Sequence, residues 1–350
     1  MFFASDNGAP VLPQVMTALT AANHGFAPSY GSDALMDQVR ARIRALFEAP
    51  EAAVYLVATG TAANALSLAT LTEPWGAVFC HRHSHIEEDE CGAPEFYTGG
   101  AKLVLVDGKH ARISPEVLAD RLANAAMAGV HNVQKGMLSL TNATENGTIY
   151  RPDEVAALTA LARAHQMPTH MDGARFANAM VTAACSPAEM TWKAGIDILC
   201  LGGTKNGLMG VEAVVIFDPA RAWEFELRRK RAGHLFSKHR FLSAQMAAYL
   251  TDDLWLTAAK AANAMAARLS QGIAALPGAM IVHPTEANSV FAAWPRKGHR
   301  RAQAAGAAYY LWPGNQTMDG PPDERLAARL VCSWNTTAAE VDQFIDLLSG

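Results

Sequence analysis

HMDGAR at residues 170–175 and LGGTKNG at residues 201–207 are two segments that each follow a short apolar run. The first contains Asp172 and Arg175, and the second contains Lys205 with glycines on both sides. Asp172 and Lys205 lie 33 positions apart, which is enough chain for one helix and one strand. A carboxylate, a guanidinium and an amine suit the pyridinium nitrogen, the phenolic oxygen and the aldehyde of pyridoxal phosphate (PLP). The two segments therefore indicate a PLP site, with space for a bulky group beside the glycine-flanked lysine.

Short apolar runs alternate with helical patterns around these segments. We predict strands at residues 54–57, 77–80, 102–106, 137–141, 168–171, 196–201 and 213–217, and helices at 33–48, 62–71, 114–128 and 152–166. This alternation favours an α/β fold with a mainly parallel sheet. Beyond residue 240, a long alanine-rich helix at 241–275 precedes short strands near 279–294 and a closing segment at 328–348. We therefore predict a large domain over residues 1–240 and a small C-terminal domain over residues 241–350.

The composition is that of a globular protein with a small net charge. Half of the 350 residues are hydrophobic, 18% are charged, and the net charge is −4. These values exclude a largely disordered chain and give no reason to expect a nucleic-acid or anionic-membrane partner. No apolar run reaches the ~18 residues of a membrane span, and the N-terminus lacks the pattern of a signal peptide. A cytoplasmic location is expected.

Metal binding is not expected from the cysteines or the histidines. The five cysteines include no close CxxC pair, which fits reduced thiols in the cytoplasm. Residues 81–90, HRHSHIEEDE, contain three histidines at two-residue spacing, which is weak support for metal ligands. The acids that follow resemble a solvated helix start. A histidine stacked over a cofactor ring is the alternative, and this pattern alone does not choose which one.

Each remaining candidate has a structural alternative. Residues 59–61, TGT, either bind a phosphate or only cap a helix. Asp172 and Arg175 could form a structural ion pair, and Lys205 could be a surface lysine. The basic residues 227–231 and 238–240 form either a solvated helix face or a phosphate site shared between subunits. A buried Arg329 needs a carboxylate partner from the protein or a substrate, and Glu145 is either catalytic or a loop residue without a role.

Over essentially its whole length the chain resembles the low-specificity L-threonine aldolases, and in particular their phenylserine aldolase branch. The resemblance rests on several ordered motifs, which are SDN at 5–7, YGSD at 30–33, TGTAAN at 59–64, SHI at 84–86, DECGAPEF at 89–96, MDGARFANA at 171–179, TKNG at 204–207, RKRAGH at 229–234 and RLV at 329–331. It implies a fold-type-I PLP enzyme, with a mostly parallel sheet in the large domain and a small C-terminal α/β domain. It also implies a homodimer or homotetramer with active sites at the dimer interface.

The resemblance also implies the residues that hold the cofactor. Lys205 corresponds to the Schiff-base lysine, Asp172 to the partner of the pyridine nitrogen, and Arg175 to the contact of the phenolic oxygen. His85 corresponds to the imidazole that stacks on the ring. The phosphate and neighbouring cofactor contacts correspond to Gly60, Thr61, Thr204 and, from a neighbouring subunit, Arg240.

For the substrate, the resemblance implies that Ser5 and Arg329 hold the α-carboxylate and that Tyr30 lies at the same site. Many threonine aldolases have a histidine at the position of Glu145, near the β-hydroxyl of the substrate. Glu145, His85 and a water molecule are therefore all candidates for the base that deprotonates this hydroxyl.

The implied reaction is the retro-aldol cleavage of an L-β-hydroxy-α-amino acid to glycine and an aldehyde. Transamination, β-elimination or racemisation by the same cofactor is the main alternative. A non-catalytic binding or regulatory protein of this fold would usually lack Lys205. The sequence leaves open the preferred aldehyde, the threo or erythro preference at Cβ, and the choice between dimer and tetramer.

Overall fold

A seven-stranded sheet forms the centre of the large domain. The computed structural model describes residues 1–125 and 127–350. The sheet strands are β1 (Ala53–Val57), β2 (Gly76–His81), β3 (Lys102–Val106), β4 (Gln134–Thr141), β5 (Thr169–Gly173), β6 (Ile198–Leu201) and β7 (Glu212–Ile216). Their order is β1-β7-β6-β5-β4-β2-β3. Strand β7 is antiparallel to its neighbours β1 and β6, and the other described pairs of this sheet are parallel. The predicted α/β fold with a mostly parallel sheet is confirmed, and each predicted strand overlaps an observed one.

Helices pack against this sheet and against a smaller sheet in the C-terminal part of the chain. They are α1 (Pro13–Ala22), α2 (Ala34–Leu46), α3 (Gly60–Leu71), α4 (His85–Glu88), α5 (Ala93–Thr98), α6 (Pro115–Asn124), α7 (Pro152–Ala164), α8 (Phe176–Ala183), α9 (Pro187–Met190), α10 (Ala222–Arg231), α11 (Arg240–Tyr249), α12 (Leu254–Ala274), α13 (Arg296–Ala304) and α14 (Ala338–Ser349). The predicted helix at 114–128 corresponds to α6, which ends at Asn124; position 126 of that range lies outside the described residues.

Helix α3 is the central helix of the large domain. From Ala62 to Leu71 its residues are buried, because they are small or apolar on all sides and pack against β5, β6 and β7. The Thr59 hydroxyl accepts the N–H of Ala62 at 3.2 Å and fixes where the helix begins.

The single long helix predicted for residues 241–275 is wrong. The chain breaks between α11 and α12, where Asp252 and Asp253 both adopt a left-handed backbone conformation. The break turns α11 back onto α1 and α2, so that Leu242 and Met246 are buried in the same cluster as the large-sheet strands. The domain division at residue 240 stays a prediction. Helix α11 follows this position in the chain but packs against helices of the large domain.

A four-stranded antiparallel sheet forms the C-terminal part. It contains β8 (Met280–Ile281), β9 (Ser289–Pro295), β10 (Tyr310–Leu311) and β11 (Arg325–Val331), in the order β10-β11-β9-β8. The first residues of the N-terminal arm pack into this part. The Phe3 carbonyl accepts the N–H of Val331 at 2.8 Å, and the Phe3 ring lies 5.1 Å from that of Phe344.

Within the described residues, no helix has the length and apolar character required to cross a bilayer.

The N-terminal arm makes a stability contribution that can be measured. Phe3 is fully buried, whereas its neighbour Phe2 is half-exposed. We expect Phe3→Ala to lower the free energy of unfolding by about 3–5 kcal/mol, because it removes a buried ring and leaves a cavity. Phe2→Ala is the matched control, with an expected loss of about 1 kcal/mol or less. Chemical denaturation of both variants measures the difference, and equal losses would contradict this role of Phe3.

Candidate active site

The polar residues predicted to act together follow the carboxyl ends of parallel strands. Asp172 is the penultimate residue of β5, Lys205 follows β6, His85 follows β2, and Glu145 follows β4. Parallel strands bring these ends to one edge of the sheet, which is where α/β proteins bind ligands. Asp172, Lys205 and Glu145 are all close enough for their charges to affect His85. The four residues therefore share one site.

The Asp172 carboxylate is buried and held in a fixed orientation. Its Oδ1 accepts the N–H of Ala174 at 2.9 Å, and its Oδ2 accepts Nδ2 of Asn64 at 3.1 Å. Asn64 is on α3, one turn after Gly60 and Thr61, whose N–H groups belong to the first turn and have no intrahelical partner. One helix thus connects the proposed phosphate site to the proposed partner of the ring nitrogen.

Glu90 connects Asn64 to His85 and was not identified from the sequence. Its Oε1 accepts Nδ2 of Asn64 at 2.8 Å and lies 2.8 Å from Nδ1 of His85. The hydrogen bond to Glu90 raises the pKa of His85, and burial raises the pKa of Glu90 itself. The expectation that the acids of residues 87–90 form a solvated helix start is correct for Glu87 and wrong for Glu90, which is buried.

The segments 170–175 and 201–207 lie in direct contact. Gly173 pairs with Leu201 between β5 and β6, and the N–H of Gly202 donates to the Gly173 carbonyl at 2.9 Å. A Cβ on Gly202 would lie 2.3 Å from the Ala174 carbonyl oxygen, so only glycine permits this approach. The close contact places the turn of Lys205 beside that of Asp172.

The glycines before Lys205 are packed against protein, which corrects the prediction that they leave space for a bulky group. A Cβ on Gly203 would lie 2.4 Å from Cδ1 of Leu208. The N–H of Gly203 donates to Oε2 of the buried Glu212 at 2.6 Å, and burial raises the pKa of Glu212 to about 7. These contacts hold the turn Thr204–Asn206, which presents Lys205 half-buried at the site.

Arg175 pairs with Asp6 of the N-terminal arm and not with Asp172. Its Nε and Nη2 donate to the two Asp6 carboxylate oxygens at 2.7 and 2.9 Å. Asn288 of the C-terminal part donates to the same carboxylate at 3.0 Å. Burial alone would raise the pKa of Asp6, but the charge and hydrogen bonds of Arg175, together with the smaller effects of Lys205 and Asn288, outweigh it and hold that pKa below its usual value. Ser5, a predicted carboxylate ligand, directly precedes this pair.

Arg329 is a partly buried cation that forms no salt bridge with a carboxylate among the described residues. Its guanidinium carbon lies 5.2 Å from the Trp312 ring and 5.8 Å from the Tyr310 ring. Its Nε is buried and has no hydrogen-bond partner among residues 1–125 and 127–350. Burial, and then the charge of Arg175, lower the pKa of Arg329, so the two guanidinium groups lie near each other. An added carboxylate would relieve both effects.

Glu145 lies in the tight loop after β4 and faces the same site. The loop is closed by a hydrogen bond of 2.8 Å from the N–H of Thr144 to the Thr148 carbonyl. The Glu145 charge supports the raised pKa of His85, after the larger effect of Glu90, and acts on Arg175 and Arg329.

Two predicted site residues make their side-chain contacts with other segments of this chain. Arg240 donates to the Gly25 carbonyl at 2.9 Å. Tyr30 is half-exposed beside Lys230, whose Nζ lies 5.1 Å from the ring centre. Neither makes a hydrogen bond to the other candidates in the described part of the chain, and their roles stay predictions.

The residues present fit pyridoxal phosphate. A buried carboxylate, a half-buried amine, an imidazole and a helix start whose first N–H groups have no intrahelical partner lie at one sheet edge, and these are the groups that the cofactor requires. No group of three or more potential metal ligands occurs in the portion of the chain that the structure covers.

Comparison with known proteins shows the family to which the chain belongs. The family model of the β-eliminating lyases matches residues 3–295. A low-specificity L-threonine aldolase of Pseudomonas aeruginosa is 39% identical over 97% of this chain and 94% of its own length. A protein of the same name from another Pseudomonas strain shares the same identity and coverage.

Solved structures extend the similarity to the whole fold. The threonine aldolase of Leishmania major superimposes with a TM-score of 0.89 and 25% identity, covering 99% of this chain and 98% of that one. A serine palmitoyltransferase of S. paucimobilis with bound PLP and myriocin has a TM-score of 0.71 at 16% identity, over 100% of this chain and 86% of the other, and shows the shared fold alone. The chain is therefore a member of the low-specificity L-threonine aldolase family, within the PLP-dependent β-eliminating lyases.

Proposed function

We propose that this enzyme cleaves L-β-hydroxy-α-amino acids of the threonine, allo-threonine or phenylserine type to glycine and an aldehyde. The observation that supports this most directly is the partly buried Arg329, a cation without a carboxylate beside the Asp172–Lys205 site. An α-amino acid supplies the missing carboxylate. The direct test is to incubate the holoenzyme with each of the three substrates and to quantify glycine and aldehyde.

Each of the following residues would have a distinct role in this reaction. Lys205 would hold the cofactor covalently through Nζ, and Asp172 would hold a proton on the pyridine nitrogen. Arg329 and Ser5 would bind the α-carboxylate and so orient the Cα–Cβ bond. When bound, the cofactor supplies an electron sink next to Cα.

A base must remove the β-hydroxyl proton as the Cα–Cβ bond breaks, and a proton must return to Cα to give glycine. His85 and Glu145 both lie at the site, and a water molecule is the third candidate for the base. A positioned general base of this kind typically contributes about 10²–10⁴-fold to the rate.

We further propose that the enzyme is a cytoplasmic homodimer or homotetramer with active sites at the dimer interface. All five cysteines are free, as is typical of a reducing compartment. Tyr30 and Arg240 make no hydrogen bond to the other candidate residues among those described, which leaves them available to the site of a second copy. The exposed Phe26 and Trp223 are apolar side chains that such an interface would cover.

Lys205→Ala is expected to abolish both the visible absorbance of the bound cofactor and the cleavage activity, since the amine forms the covalent link. Lys193→Ala is the matched control, because Lys193 is a surface lysine paired with Glu48. Absorbance spectra and a glycine assay measure the two effects. Persistence of the absorbance band in Lys205→Ala would exclude this lysine as the attachment site.

Arg329→Ala is expected to raise KM for L-threonine by about 10- to 100-fold, which corresponds to the loss of charge-assisted hydrogen bonds. Cofactor occupancy should not change, because Arg329 is assigned to the substrate. Arg325→Ala on the same strand is the control, since Arg325 is exposed and donates to the Gly278 carbonyl. Loss of bound cofactor from Arg329→Ala would contradict the assignment.

Glu90→Gln is expected to shift the pH profile of kcat/KM. The hydrogen bond to Glu90 raises the pKa of His85, so neutralising this carboxylate should lower that pKa. The limb of the profile that reports His85 would then move to lower pH. Glu87→Gln, at an exposed position of the same segment, should leave the profile unchanged. An unshifted profile in Glu90→Gln would mean that the titration of His85 does not limit catalysis.

A further inference from the structure

Glu212 is a buried carboxyl group that has no role in the reaction as described so far. It is the first residue of β7. Because β7 is antiparallel to β6, its start lies at the same sheet edge as the carboxyl ends of β5 and β6. Glu212 also pairs with Val57, the last residue of β1, shortly before Thr59 caps α3. The carboxyl group therefore lies among the elements that carry the proposed cofactor contacts.

Two hydrogen bonds attach the turn of Lys205 to the start of β7. The N–H of Gly203 donates to Oε2 of Glu212 at 2.6 Å. The N–H of Val211 donates to the Thr204 hydroxyl at 3.2 Å. The position of Lys205, the next residue after Thr204, thus depends on contacts with the first residues of β7.

Lys205 is the charged group that acts on this carboxyl group. Burial raises the pKa of Glu212 to about 7, whereas hydrogen bonds from Thr204 and Gly203 and the charge of Lys205 act in the opposite direction. Cys200 on β6 and Tyr249 on α11 are also close to Glu212. Burial raises the pKa of both groups, so both are neutral at pH 7.

Other ionisable groups near Lys205 are engaged elsewhere. The charge of Lys205 also acts on Asp6 of the N-terminal arm and on His85 after β2. Asp6 is paired with Arg175, and His85 is bonded to Glu90. The Glu212 carboxyl group, in contrast, accepts its hydrogen bond from a neutral amide. A carboxylate and a nearby cation favour each other's charged forms.

We propose that Glu212 is a positioning residue that fixes the turn of Lys205 and, by its negative charge, favours the protonated form of the nitrogen that links Lys205 to the cofactor. The inference rests on the proposed function, in which Lys205 is the attachment site, and adds a residue that controls this attachment. A protonated linking nitrogen makes the carbon bonded to it more electrophilic, so that a substrate amine displaces Lys205 more readily.

The test is a pH titration of the visible absorbance of the holoenzyme, which changes when the linking nitrogen loses its proton. Glu212→Gln is expected to lower the midpoint of this titration by about 1 pH unit, since a nearby negative charge is removed. Glutamine has nearly the same shape and keeps an oxygen that can accept the N–H of Gly203, so the variant should fold normally.

Two further variants separate the charge from the shape of the side chain. Glu212→Asp keeps the charge but shortens the side chain and weakens the bond to Gly203, so its midpoint should lie closer to that of the wild type than to that of Glu212→Gln. Asp218→Asn is the matched control, at an exposed position after β7. Asp218 accepts the N–H of Ala220 at 3.0 Å, which asparagine can also do, and the midpoint should not change.

The outcomes distinguish this inference from the proposed function. An unshifted midpoint in Glu212→Gln, or equal shifts in Glu212→Gln and Glu212→Asp, would overturn the charge role of Glu212. Formation of glycine and aldehyde by the wild type would still support the proposed function in that case. The proposed function itself fails if the wild type forms no glycine, and the attachment site fails if Lys205→Ala keeps the absorbance band.

Discussion

The pairing of Arg175 with Asp6 is the interaction on which the arrangement of the site depends. The Asp6 side chain is fully buried, and Arg175 is 13% exposed. Removing one partner of a buried pair typically costs about 3–5 kcal/mol, because the other charge is left uncompensated. Asn288 donates to the same carboxylate, so a single pair ties the N-terminal arm, the end of β5 and the C-terminal sheet together. Ser5 is placed at the site as a consequence.

The same pair explains the electrostatic character of the site. Asp6 neutralises Arg175, but Arg329 nearby has no such partner among the described residues. The site therefore carries a positive charge that a substrate carboxylate can neutralise. The hydrogen bonds among Glu90, Asn64 and His85 fix the imidazole and link it to the carboxylate of Asp172. Anion binding and proton handling thus depend on two separate sets of hydrogen bonds and charges.

The predictions made from sequence were accurate for features that depend on neighbouring residues. They were less accurate for contacts between segments that are distant in the chain. The alternation of strands and helices and the adjacency of Asp172 and Lys205 follow from periodicity and from parallel pairing. The alanine-rich stretch at 241–275 shows the opposite case. Its composition favours continuous helix, and the break at Asp252 and Asp253 reflects the packing of α11 against α1 and α2.

By itself, the sequence determined the fold class and the cofactor and predicted the residues that would hold it, because a glycine-flanked lysine, an aspartate after an apolar run and a helix start have recognisable local patterns. Only the tertiary structure decided the partners of these residues. Glu90 and Asp6 are charged residues that sequence alone places on the surface, yet each is buried by contacts with segments distant in the chain. The glycines before Lys205 likewise permit a close backbone contact, and this contact depends on how β5 and β6 pair. Long-range packing sets burial, and burial sets the charge state and the function of a side chain.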